Sequence, residues 1–125
     1  MARQFAGVVG LVLLATGVLG LIVGDEPLAG VLNIDLLEDV IHLVTGGILA
    51  FVGFGQRDEE LARRVLLGLG AVYVVVGFVG FVVPNLFGLL PHGYSVVDNL
   101  FHLVLGGALI AVGYLAARRM STTAR

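Results

Sequence analysis

Two histidines, His42 and His102, occupy equivalent places in two near copies of one stretch, DLLEDVIHLVTGGILAFVGF and SVVDNLFHLVLGGALIAVGY. In each copy a carboxylate stands about one helical turn before the imidazole: Glu38 and Asp39 before His42, Asp98 before His102. Spacings of three or four residues put such a pair on one helix face. Two faces of this kind in a helix bundle can enclose a divalent metal, so Glu38, His42, Asp98 and His102 are the candidate metal ligands. Two facing imidazoles can also take both axial positions of a haem iron, which makes His42 and His102 the candidate cofactor ligands. The competing reading is structural. In it, Asp39, His42, Asn99 and His102 form a polar layer that hydrogen-bonds across helices, while Glu38 and Asp98 complete capping boxes opened by Asp35 and Ser95. The structural reading is preferred on sequence alone, with no cofactor favoured and haem or a divalent metal as the alternatives.

Other chemistry is scarce. The chain has no cysteine and no lysine, which removes thiolate ligands, thiol nucleophiles and Schiff-base formation. Ser95 is placed as a helix cap, and Thr16 and Thr45 can satisfy their hydroxyls on carbonyls of their own helices. No nucleophile is paired with a base, so no catalytic residue is assigned and the chain reads as non-enzymatic. The formal net charge of -2 offers no basic surface to nucleic acid.

The elements that must position the histidines are written in the hydropathy. Of the 125 residues, 58% are hydrophobic and only 13% charged. Four apolar segments, 5–24, 36–55, 65–83 and 96–117, approach or reach the roughly 20 residues a helix needs to cross a bilayer. The first is read as a span rather than a cleaved signal peptide, because it is long and no small-residue cleavage pattern follows it. The fold class that follows is all-α: an integral membrane four-helix bundle forming a single domain, residues 1–125. All the basic residues are arginines, Arg3, Arg57, Arg63, Arg64, Arg118, Arg119 and Arg125, and the loops 25–35 and 84–95 contain none. By the positive-inside rule both termini and the middle loop are cytoplasmic, and the protein belongs in the cell membrane.

Between the spans, Pro27 and Asn33 mark a turn-rich first outer loop, and Gly24 and Pro84 are expected to end the helices before them. Glu59 with Arg63 and Glu60 with Arg64 are i,i+4 pairs that predict a helical middle segment running into the third span. Phe87 and Tyr94 are expected to anchor the second outer loop in the interface. The polar tail beyond Ala117 is expected to be disordered.

A shift of sixty residues, without a gap, aligns Gly10, Gly17 and Gly20 with Gly70, Gly77 and Gly80, and His42, Gly46, Leu49 and Gly53 with His102, Gly106, Leu109 and Gly113. The chain thus reads as two tandem helical hairpins, repeat 1 over 5–55 and repeat 2 over 65–115. Two spans per unit give both units one orientation, so the histidines must lie at one depth, roughly 10 Å inside the outer boundary. The glycines predict close backbone approach between helices.

Asp98, Asn99, His102, Leu103 and Gly106, with a related His42, Leu43 and Gly46 in the second span, resemble the signature of a family of small four-helix prokaryotic membrane proteins, the domain of unknown function 4383. Asp39 stands where that pattern more commonly has asparagine. The resemblance implies four spans and a two-unit repeat, and supplies no activity. The expected function is that of a small structural or accessory membrane protein, a homo-oligomer or a subunit of a larger complex, with the lipid bilayer as a partner. The alternative is a redox or sensory module that holds haem or a divalent metal between His42 and His102.

Overall fold

The structure, a computed structural model, describes residues 1–24 and 35–123; the expected turn at Pro27 and Asn33 lies outside the described residues. Among the described residues the architecture is all-α. Helix α1 spans Ala2–Val23, α2 Leu36–Ala50, α3 Glu59–Val82 and α4 Val96–Thr123. A π-helical turn, Phe51–Gly55, prolongs α2, and a single 3-10 turn, Leu86–Gly88, lies between α3 and α4. Four helical stretches are long and apolar enough to cross a membrane: Ala2–Val23, Leu36–Gly55, Glu59–Val82 and Val96–Arg119. Large apolar side chains face outward along all of them, among them Leu11, Leu19, Ile22, Phe51, Phe78, Phe101 and Val104. A surface of that kind suits hydrocarbon rather than water.

The helix ends follow from local chemistry. Gly24 closes α1 with a left-handed φ of 82°, donating its N–H to the Gly20 carbonyl at 2.8 Å. α3 starts earlier than hydropathy suggests because Asp58 caps it, accepting from the N–H groups of Glu60 and Leu61 at 2.9 and 3.0 Å. Of the two ion pairs expected in its first turn, Glu60 with Arg64 forms and Glu59 with Arg63 does not. Glu60 takes both Arg63, at 2.6 Å, and Arg64, at 2.8 Å, whereas Glu59 accepts from the N-terminal amine of Met1 at 2.8 Å. The disordered tail is also corrected: α4 runs on to Thr123, its last turns carrying hydroxyl bonds from Ser121 and Thr122 back to the carbonyls of Arg118 and Arg119.

α1 packs antiparallel on α2, and α3 antiparallel on α4. A Cβ on Gly10 would strike the backbone of Ala50 and Gly46, and one on Gly17 the carbonyl of Asp39 and the side chain of Leu43. In the other pair, Gly70 lies against Gly106 and Ile110, and Gly77 against Asn99 and Leu103. Further out, Gly20 makes room for the carboxylate of Asp39, and Gly80 for the amide of Asn99. The apolar core between the pairs contains Leu13, Leu49, Leu66, Tyr73 and Leu109, and it closes at one end on Ala2, Ala62 and Ala116. The bond from Met1 to Glu59, with the antiparallel run of α4, gathers the N-terminus, the 56–58 connection and Arg118 at that same end. The histidines lie toward the other.

Candidate functional site

The first two turns of α2 present Glu38 and His42, four residues apart and so one above the other. α4 presents His102 at the same level. The two imidazole centroids are 6.4 Å apart with planes tilted by 42°. Glu38 Oε1 lies 3.6 Å from His102 Nε2, and one ligand atom from each of Glu38, His42 and His102 falls within 4.8 Å of the others. Glu38 and His102 are buried and His42 half-buried. Glu38 Oε2, His42 Nδ1 and His102 Nδ1 are buried without a hydrogen-bond partner. Polar atoms so placed are normally paired, and these three belong to the three side chains that converge here.

Aromatic side chains wall the site. Tyr73 of α3 stacks on His102 at 5.7 Å, and Tyr94 meets the same ring edge-on at 4.9 Å. The Tyr73 hydroxyl is 2.7 Å from the hydroxyl of Thr45, which also donates to the Ile41 carbonyl at 2.7 Å. Tyr94 is held by its N–H bond to the Pro84 carbonyl at 2.8 Å. It is thus a buried wall of the site and not the expected interface anchor, while Phe87, 86% exposed, is free to take that role. Burial and the nearby Glu38 carboxylate push the Tyr94 phenol above its ordinary range.

The structure sorts the two capping boxes. Ser95 and Asp98 form theirs: the Ser95 N–H donates to Asp98 Oδ2 at 2.8 Å, and the Asp98 N–H to Ser95 Oγ at 3.1 Å. Asp35 makes no side-chain cap to α2, and Glu38 turns to the histidines instead. Of the four candidate ligands, therefore, Glu38, His42 and His102 come together while Asp98 serves the helix end. The expected polar layer divides likewise, because Asp39 and Asn99 pack toward Gly20 and Gly80 and the imidazoles toward each other. Neither Asp39 nor Asn99 satisfies an imidazole Nδ1.

Acidic side chains accumulate here. Asp35, Glu38, Asp39 and Asp98 are all buried at this end, and between Arg3 and Arg57, or between Arg64 and Arg118, the chain has no arginine or lysine to offset them. Asp35 Oδ1 takes part of its compensation from His92, lying 3.1 Å from Nδ1 and accepting from the backbone N–H at 3.3 Å.

The profile of a family described as a domain of unknown function (DUF4383) matches residues 3–115 of the chain. The chain belongs to that family. The DUF4383 match takes in all of the site, from Asp35 through His102, and its description carries no activity. Comparison with curated proteins and with solved structures gave no match.

Sequence reasoning missed two parts of this DUF4383 site. Tyr73 carried a usable signal, since it shares the buried stripe of Gly70 and Gly77 at spacings of three and four. The His92 partnership with Asp35 had none, because a loop residue meeting a helix start 57 positions away obeys no local period.

Proposed function

We propose that this chain is a small, non-enzymatic, multi-pass membrane protein built from two tandem hairpins, and that Glu38, His42 and His102 hold one divalent transition-metal ion between them. The observation that carries this reading is the convergence of three ligand atoms within 4.8 Å, beside three buried polar atoms that lack partners. Two imidazoles and a carboxylate are a usual ligand set for such ions, and around a tetrahedral ion ligands stand about 3.4 Å apart. Closing from 4.8 Å to that spacing takes rotamer adjustment of flexible side chains rather than movement of helices. A dication also brings positive charge to an end of the bundle where the sequence supplies no arginine or lysine.

The same geometry argues against haem. A carboxylate lies at His102 Nε2, the atom an iron would need, and Tyr73 covers the ring. A porphyrin would displace both, whereas a small cation uses the carboxylate.

Support for the tandem arrangement comes from pairs related by the sixty-residue shift, Gly10 with Gly70 and Gly20 with Gly80, each of which meets a neighbouring helix. The arginines collected at one end support a cytoplasmic location for both termini. Gly47 and Gly107 have nothing within 4 Å of an added Cβ, so they contribute nothing inside the chain and are available to a second copy or another subunit.

The test uses the full chain, purified in detergent and titrated with Co²⁺ or Zn²⁺. Elemental analysis after dialysis is expected to give one ion per chain, and Co²⁺ to show visible ligand-field bands. Removing a ligand in His42→Ala, His102→Ala or Glu38→Gln is expected to weaken binding by roughly a hundredfold. Absence of bound ion in the unaltered protein, or Soret absorbance after expression with ample haem, overturns the reading.

A further inference from the structure

Resting on the metal reading above, we infer that Asp35 and His92 form a second, outer cation site through which the ion reaches Glu38, His42 and His102. Two observations point there. Asp35 is 1% exposed and its Oδ2 is buried with no partner, while Oδ1 lies 3.1 Å from His92 Nδ1. The His92 side chain is 35% exposed, so its ring spans the boundary between that buried carboxylate and the exterior.

The pairing has the form that metal-binding histidines take. An imidazole whose Nδ1–H is held by a carboxylate presents Nε2 as a fixed, more basic ligand. His92 captures the cation on Nε2 while the Nδ1 proton stays on the bond to Asp35. Inward, Asp35 and Glu38 are three residues apart, neighbours on the surface of the α2 start, and Glu38 is one turn from His42. The cation therefore passes from imidazole to carboxylate to carboxylate to the paired imidazoles, keeping an oxygen or nitrogen ligand at each step. Without such a ladder it would lose its ligands between the exterior and the buried trio, at a cost of several kcal/mol. The loop that carries His92 is well placed for this role, since Tyr94 is tied to Pro84 and forms the wall of the inner site.

The experiment is stopped-flow uptake of Co²⁺ by the full metal-free chain in lipid nanodiscs, followed by extraction with a chelator. In His92→Ala both uptake and extraction are expected to slow by roughly tenfold or more, with equilibrium affinity unchanged within about twofold, because loss of a route lowers both rates together. Asp35→Asn, with circular dichroism to establish folding, is expected to slow both rates likewise, and to lower the affinity as well because a carboxylate charge near the ion is lost. Wild-type rates in both variants overturn the outer site and leave the inner one standing. So does weakened equilibrium binding with an unaltered uptake rate, which makes His92 a ligand of the final complex rather than a way in. Failure of the unaltered protein to bind Co²⁺ at all overturns the metal reading itself.

Discussion

A single methyl group at Gly10 tests whether helix packing sets the geometry of the histidine site. A Cβ there would lie 2.7 Å from the Gly46 carbonyl oxygen and 2.8 Å from Ala50 Cα, and it would overlap the Ala50 nitrogen. All three are backbone atoms, so no side chain can swing aside. Ordinary contact begins at 3.4 Å, and α2 must therefore retreat from α1 by at least about 0.7 Å at the level of Gly46, one turn from His42. Overpacking of this kind costs about 1–3 kcal/mol. α2 carries two of the three ligands, so the Co²⁺ titration reports whether the displacement exceeds what side-chain rotation absorbs. Gly47→Ala is the matched control: its Cβ meets nothing within 4 Å, and the gain in helix propensity is at most about 1 kcal/mol. The assay is reversible denaturation in mixed micelles followed by far-ultraviolet circular dichroism, paired with Co²⁺ titration. If Gly10→Ala is as stable as the parent, or Gly47→Ala is equally damaging, the packing argument is wrong.

Two further outcomes follow from contacts around the site. Thr45→Val removes the hydroxyl partner of Tyr73 and is expected to cost about 0.6 kcal/mol, and no more than about 1.7 kcal/mol, in the same denaturation assay, the average and the upper end for interhelical hydrogen bonds in membranes. The Tyr94 phenol is held above its ordinary value when folded, so the neutral form's contribution is complete below about pH 10 and is lost as the pH rises through the folded value. Stability is expected to fall in that alkaline range, and Tyr94→Phe to flatten the fall.

The helices were legible because their cause is local. Apolar runs long enough to span hydrocarbon gave each helix to within a few residues, except where a polar cap or tail extended it. Asp58 opened α3 ahead of the apolar run, and backbone-bonding hydroxyls carried α4 beyond Ala117. The meeting of His42 and His102, 6.4 Å apart, was expected from their matched places in the two similar stretches of sequence. What remained hidden was the choice each carboxylate makes between two uses. Glu38 and Asp98 stand at equivalent positions, yet Asp98 closes a cap with Ser95 while Glu38 reaches an imidazole. The first residue of each box offers a reason. Ser95 has a hydroxyl to give to the cap, whereas the Asp35 carboxylate is engaged by His92 and would repel a second carboxylate. That competition involves a loop residue far away in sequence, where pattern has no reach. The π-helical turn at Phe51–Gly55 was likewise unannounced, and its sequence shows no feature that dictates it.

The two imidazoles are contributed by different halves of the chain, one by α2 and one by α4, across the seam that the 56–58 connection bridges at the opposite end. Neither half alone carries the complete trio, so inserting a hairpin into lipid does not create it. It comes into being only when the halves dock in register. An ion captured there would clasp them together, and its presence would report that assembly had reached its last step.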